Sequence, residues 1–229
     1  MKWCVFSDVH GNAAYLDALT EVWRSRAYDG YFFLGDAVGY FPAWREALRG
    51  VEALGAVCLL GNHDAMAVGI LPIDPKKDEV YRLSEVRATL SEEDRALFLS
   101  RKPELTVELD GLTVMMTHGT PENPLCGYGY EDLADDAWDR KGIDFLFMGQ
   151  THRPWLRRGM YTTIVNAGSA GLPRDIGNAP SWATLDTRTR TATIERLELD
   201  LAETFPEKPA VHPSVWACVR RGTGDGGVE

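Results

Sequence analysis

Short, continuously apolar runs that stop at glycine or a polar residue recur along this chain. Trp3 to Ser7, Tyr31-Phe32-Phe33-Leu34, Ala56-Val57-Cys58-Leu59-Leu60 and Ile143 to Met148 read as strands buried within a sheet. After the first run, Leu16, Leu19 and Trp23 fall at helical spacing behind Asn12, which predicts a helix with Asn12 as its N-cap. After the second, Trp44, Leu48 and Val51 share a helical face, with Pro42 suited to the first turn and Gly55 just past the end. Two strand–helix units leading into another strand predict a parallel sheet with right-handed crossovers.

From Ala65 to Lys102 the pattern turns helical. Val80, Leu83, Val86 and Leu90 are spaced for one helix, and Ser91 with Asp94 resembles a capping box opening another that must end by Pro103. This insert, with a turn-rich start at 72–77, suits a lid over whatever precedes it or a layer packed outside the sheet. Leu105 to Leu109, Asp110-Gly111 and Leu112 to Met116 form a hairpin pattern. Leu133, Ala137 and Trp138 predict a helix stopped near Gly142, after which the run to Met148 follows. Ile164-Val165 and the pair Trp182 to Leu185 and Thr191 to Leu197 are expected to complete a second sheet facing the first, with helices outside. Prolines and then glycines after Thr204 predict an appended tail, mobile at its last residues. The expected organisation is one domain over 1–205, with the insert at 65–103 and the tail at 206–229.

Composition narrows the class. With 34 acidic against 24 basic residues the formal charge is −10, which disfavours a broad nucleic-acid footprint. Cys4, Cys58, Cys126 and Cys218 have no CxxC spacing and read as buried thiols in a reducing compartment. No signal-peptide pattern is visible and no apolar stretch approaches the ~20 residues needed to span a bilayer, so a cytoplasmic protein without membrane contact is expected.

The chemistry collects where the apolar runs stop. Open α/β sheets bind ligands beyond the carboxyl ends of their strands. Here those ends read Ser7-Asp8, Gly35-Asp36, Gly61-Asn62-His63-Asp64, Thr117-His118 and Gly149-Gln150. His10, His63, His118 and His152 all sit at such ends beside glycine, and only His212 does not. Asp8 and His10 are two apart, so they share a face while Gly11 lets the backbone turn; Gln150 and His152 repeat the spacing. Singly, Asp8 reads as a helix cap and Asp36 as a turn residue. Together, imidazole and carboxylate are the donors that divalent transition metals take, and a two-metal site is the reading.

These residues resemble the ordered motifs of the calcineurin-like metallophosphoesterase superfamily: Asp8-Val9-His10, Gly35-Asp36, Gly61-Asn62-His63-Asp64, His118-Gly119 and Gly149-Gln150-Thr151-His152. Asn166-Ala167-Gly168-Ser169 and Gly171-Leu172-Pro173-Arg174 resemble a later segment of its small bacterial phosphodiesterase-like members. The resemblance implies an α/β fold, a four-layer α/β/β/α sandwich with two mixed sheets, around two divalent metal ions: manganese first, with iron, zinc or a mixture as alternatives. It implies Asp8, His10 and His152 on one metal, Asn62, His118 and Gln150 on the other, and Asp36 between them. His63 would serve as general acid rather than ligand, beside the metal-binding Asn62, and Asp64 would cap the following helix. Arg153 and Arg174 are candidate phosphate clamps, because a guanidinium matches phosphate oxygens bidentately.

The implied activity is hydrolysis of a small soluble phosphate ester, diester or monoester. A nuclease is disfavoured by the acidic balance, and a scaffold without turnover by the intact Asp8, His10, Asp36, Asn62 and His63. The chain departs from the superfamily at two positions. Gly39 has no side chain to orient His63, which argues against a protein phosphatase. Gln150 stands where histidine is usual, and an amide oxygen is the weaker donor to the softer transition ions, so the second metal is expected to be the looser one.

Overall fold

The structure, a computed structural model, describes residues 1–133 and 136–222. Two five-stranded sheets face each other. In the first, β1 (Lys2–Phe6), β2 (Gly30–Phe33) and β3 (Val57–Cys58) run parallel. They are linked by α1 (Ala13–Arg26) and α2 (Trp44–Ala53). Asn12 caps α1 as its spacing predicts, its side chain accepting from Tyr15 N. Pro42 falls short of α2, whose N-cap is Ala43.

The second sheet begins with the antiparallel hairpin β4 (Glu104–Leu109) and β5 (Leu112–Thr117), turned through Asp110 and Gly111, both at positive φ. Beside β5 lie β6 (Phe145–Met148) and then β8 (Thr163–Asn166), both parallel to it. The sheet ends in β7 (Trp155–Arg158), a strand that the apolar pattern does not reveal.

The last hairpin is placed differently from expectation. Strands β9 (Ser181–Asp186) and β10 (Thr191–Arg196) join the first sheet, β9 antiparallel to β1. The reason is that β9 buries side chains on both faces. Trp182 packs under α1 against Trp23, ring centroids 5.9 Å apart, while Ala183 and Leu185 join Val5, Phe32 and Phe147 in the core between the sheets.

The insert holds α3 (Asn62–Val68), α4 (Pro75–Tyr81), α5 (Leu83–Thr89) and α6 (Glu92–Ser100). Ser91 caps α6 and accepts from Asp94 N, as expected. The single helix expected through Val80 to Leu90 is broken at Arg82, which adopts φ 59°. The break divides the insert's work. Leu83, Val86 and Phe98 bury against Ala65, Ala67 and Val68 in the outer core, whereas α4 only half-buries Val80 and Tyr81 and ends with Tyr81 turned to the strand ends.

Outside the second sheet, single turns of 3-10 helix at Glu131–Leu133 and Asp136–Trp138 stand where a longer helix was expected. The side chains of Leu133 and Ala137 lie outside the described residues. The chain here is committed to tertiary partners: Trp138 Nε1 donates to Glu122, and the Asp139 carboxylate accepts from the backbone of Met160, Tyr161 and Thr162.

The segment expected as a tail is packed. Helices α7 (Leu201–Thr204) and α8 (Pro213–Val219) bring Phe205, Val215 and Val219 onto Tyr15, Phe41 and Leu172, and His212 caps α8. The expected mobile end falls at 223–229, outside the described residues. All four cysteines are free, Cys4 fully buried and the others half-buried. Among the described residues no helix is long and apolar enough to cross a membrane.

Candidate metal centre

The ligand candidates are held by unusual backbone. Asp8, His10, Asp36, Gln150 and His152 have φ of 57°, 53°, 65°, 68° and 56°, in the left-handed region that side chains with a Cβ rarely adopt. Each such residue costs roughly 1–3 kcal/mol and persists only where its surroundings over-determine it. Here Asp8 N donates to Gly35 O, His10 N to Asp36 O and Gln150 N to Asp8 Oδ2, all at 3.0 Å. The paired residues two apart thus converge through paired left-handed turns, not through the strand alternation that their spacing suggests.

Asp64 does more than cap α3. Its carboxylate accepts from Asp36 N and Ala37 N at 2.9 Å and from Gly61 N at 3.2 Å, pinning the Asp36 loop to the start of that helix. Gly61 is required there, because a Cβ would stand 2.0 Å from Asp36 Oδ1.

The side chains form two groups that meet at Asp36. In the first, His10 Nε2 lies 3.0 Å from His152 Nε2, and Asp8 Oδ1 lies 3.5 and 3.3 Å from those nitrogens. In the second, His118 Nε2 lies 2.6 Å from Gln150 Oε1 and 3.1 Å from Asn62 Oδ1. Asp36 Oδ2 is 3.7 Å from His10 Nε2 and 3.5 Å from His118 Nε2. All seven residues are nearly or fully buried.

The hydrogen-bond chemistry of these groups calls for a cation. His10 Nδ1 faces Val38 O at 3.1 Å, His152 Nδ1 faces Leu172 O at 2.6 Å and His118 Nδ1 faces Leu34 O at 3.0 Å. A carbonyl only accepts, so each Nδ1 carries a proton and Nε2 is the atom each ring turns into the site, with a lone pair to present wherever the ring is neutral. Two lone pairs then meet at 3.0 Å beside Asp8 Oδ1, which is buried and has no hydrogen-bond partner among the described residues, while His118 Nε2 meets three acceptor oxygens. Such convergence repels unless a proton or metal ion sits within it, and backbone-anchored imidazoles of one tautomer are how proteins present nitrogen to metals. The residues fit a metal pair.

The charges around the metal-free site act in the same direction. Burial opposes ionisation of Asp36, but His118 and His63 outweigh it and hold the carboxyl at about 2. Burial likewise disfavours charge on His118, yet Asp36 and Asp8 raise it to about 10, so this ring keeps a proton where a cation's charge is wanted. Burial and the Arg174 charge push His152 down to about 4.

His63 is the exception among the histidines. It follows Asn62 on α3, and its backbone N–H donates to Asp36 Oδ1 at 2.8 Å. Its Nδ1 is buried and has no partner among the described residues, and burial drives the ring down to about 3. A donor atom of its ring lies within 4.8 Å of donors of His10 and Asp36.

Arg174 reaches this region, its Nη2 donating to Tyr40 Oη at 2.9 Å. Arg153 instead lines a surface cleft with Tyr130, Trp155 and Asp175. Sequence reasoning missed the contribution of Tyr40 and Tyr81, which pack on His63. It quoted Asn166 and Ser169 without a role: Asn166 Nδ2 donates to Gly149 O at 2.8 Å and Ser169 Oγ to Asp8 O at 2.7 Å, tying the two ligand-bearing loops together. Their signal was the late motif itself.

Paired mixed sheets with buried carboxylates, imidazoles and amides at the strand ends define a metallophosphoesterase architecture. The sequence profile of the calcineurin-like phosphoesterase superfamily domain matches residues 1–190, and the chain belongs to that family. Its relatives include protein MJ0912 of Methanocaldococcus jannaschii, 27% identical over 219 residues, covering 88% of this chain and 89% of that one. A metallophosphoesterase from Sphaerobacter thermophilus superposes with a TM-score of 0.77 at 24% identity, over 96% of this chain and 98% of that one. The E. coli phosphoesterase Yfce superposes with a TM-score of 0.53 at 18% identity, over 87% of this chain and 100% of that one.

Proposed function

We propose that this protein hydrolyses a small soluble phosphate ester with two divalent metal ions, held by Asp8, His10 and His152 on one side, Asn62, His118 and Gln150 on the other, and Asp36 shared. The observation that carries the reading is the meeting of backbone-anchored imidazole lone pairs with the orphaned Asp8 Oδ1. When bound, such a pair supplies positive charge to the phosphoryl oxygens and a water acidic enough to attack near neutral pH. The chain's own groups do the rest. Arg174 holds a phosphate oxygen, Asn62 orients the ester from the metal side, and His63 gives a proton to the leaving oxygen. Manganese is the first metal to supply.

The direct test is turnover of a chromogenic diester and monoester by purified protein, with single-stranded DNA alongside and manganese added. Turnover of the small esters, lost on metal removal, is expected. Cleavage of DNA alone would replace this reading with a nuclease, and no turnover of any substrate with both metals bound would replace it with a binding role.

Gln150 carries a prediction of its own. A neutral amide donates less strongly than imidazole, so the protein is expected to hold fewer than two metal equivalents until manganese is supplied. Gln150→His should tighten the weaker site about tenfold, provided the new ring finds an acceptor for its other nitrogen. Parallel titration of metal-stripped wild type and variant checks this; equal, tight binding of two equivalents by wild type would remove Gln150 from the limiting role.

Metal affinity should also follow pH. His118 keeps its proton up to about 10 in the metal-free protein and must release it to ligate. Affinity at the site that His118 serves is therefore expected to rise with pH by about tenfold per unit through the neutral range, one proton leaving as that metal binds, and to level off above that value. Calorimetry in buffers of different ionisation enthalpy counts the proton; a pH-independent affinity would contradict the assignment of His118.

A further inference from the structure

A proton-transferring histidine is ordinarily oriented by a hydrogen bond to its second ring nitrogen. His63 lacks that bond among the described residues, where its Nδ1 is buried and meets no hydrogen-bonding atom. Position 39 cannot readily supply one: Gly39 has φ 100°, and a Cβ there would stand 2.5 Å from Nδ1. A carboxylate at position 39 is thus excluded by both space and backbone conformation.

What surrounds the ring is aromatic. Tyr40 stacks on it with centroids 5.1 Å apart and planes 23° apart, and Tyr81 lies against it at 4.6 Å and 47°. His10 closes a third side edge-on at 4.7 Å. The tyrosines are themselves fixed. Tyr40 N donates to Tyr81 O at 2.8 Å, the two phenol rings meet at 5.1 Å, and Tyr40 Oη accepts from Arg174. One ring comes from the loop after β2 and the other from the end of α4, so the slot exists only when the insert is docked. An imidazole between such faces cannot turn about its Cβ–Cγ bond without driving its edge into a phenol ring.

We infer that Tyr40 and Tyr81 are the positioning residues of His63, an aromatic slot standing in for a hydrogen-bonded partner, and that the 65–103 insert completes the catalytic site through Tyr81. The catalytic part of this inference rests on the proposed role of His63 as general acid. Tyr81 acts on turnover through His63 and makes no contact with the ester.

The test uses Tyr81→Leu and Tyr81→Phe at this half-buried position, with Tyr40→Phe to remove only the hydroxyl. Tyr81→Leu is expected to lower kcat for alkyl phosphate esters about 10²-fold, as a ~1 Å misplacement of a reacting group does. KM, manganese content and turnover of nitrophenyl esters, whose leaving group needs no proton, should be unchanged. Tyr81→Phe should rescue most of the loss because its ring remains, whereas Tyr40→Phe keeps the ring but releases Arg174, so that variant is read by the ring shifts alone.

A second readout needs no turnover. In the metal-free protein the His63 ring protons, assigned by their loss in His63→Ala, should lie upfield in wild type and in both phenylalanine variants and move downfield in Tyr81→Leu. If Tyr81→Leu changes neither these shifts nor the leaving-group dependence, the slot is refuted; a rise in KM alone would refute it in favour of a substrate contact. If wild type hydrolyses no ester, the proposed function fails, and the ring shifts still decide whether the slot orients His63.

Discussion

Asp36→Asn is expected to remove metal and activity together, each on the order of 10²-fold or more, while the fold stays intact. Partners that merely orient a metal ligand are worth ~10–100-fold, and a shared ligand should reach at least the upper end of that range. Asp36 Oδ1 accepts from His63 N, a role an amide oxygen keeps, but Oδ2 lies between His10 Nε2 and His118 Nε2, where asparagine offers no charge. An independent consequence follows in the metal-free protein. Burial pulls His118 down and Asp36 is the main charge raising it to about 10, so the substitution should bring its titration down toward neutrality, visible by NMR. A variant retaining two tightly bound metals and full turnover would refute the shared-ligand assignment.

His63→Ala should lower turnover of esters with poor leaving groups by ~10²–10⁴-fold, spare activated nitrophenyl esters, and leave bound metal unchanged. The metal readout matters because a donor atom of His63 lies within 4.8 Å of donors of His10 and Asp36. Loss of metal in the variant would make His63 a ligand. The sign of the pH dependence is set by burial, which holds the free ring neutral down to about 3. Its proton therefore belongs to the complex, acquired beside an anionic ester, so kcat is expected to fall on the alkaline side as that proton is lost. In His63→Ala this alkaline limb should vanish.

The ends of the strands were legible because a buried apolar run that stops at glycine or a polar side chain marks a carboxyl edge without any long-range information. Asp8, Asp36, Asn62, His118 and Gln150 were found in this way, as was the cap at Asn12 and the turn at Asp110-Gly111. Gly39 was noted only for the side chain it lacks. Its closeness to His63 Nδ1 explains the absence, and that closeness depends on the path of α3.

What the sequence alone determined is therefore local: which runs are strands, which faces are apolar, where chemistry-bearing residues interrupt them, and the family that their order resembles. Tertiary structure decided the rest. The left-handed turns at Asp8, His10, Gln150 and His152 are held by bonds between loops distant in sequence, such as Gln150 N to Asp8 Oδ2 and Asn166 to Gly149. Strand β9 chose β1 over the second sheet because it buries side chains on both faces and Trp182 fits under Trp23. Tyr81 reached His63 because the helix expected through Val80 to Leu90 breaks at Arg82. Periodicity records which side of an element is apolar; it does not record which distant element covers that side, and the partners that hold Asp8, β9 and His63 in place come from other parts of the chain.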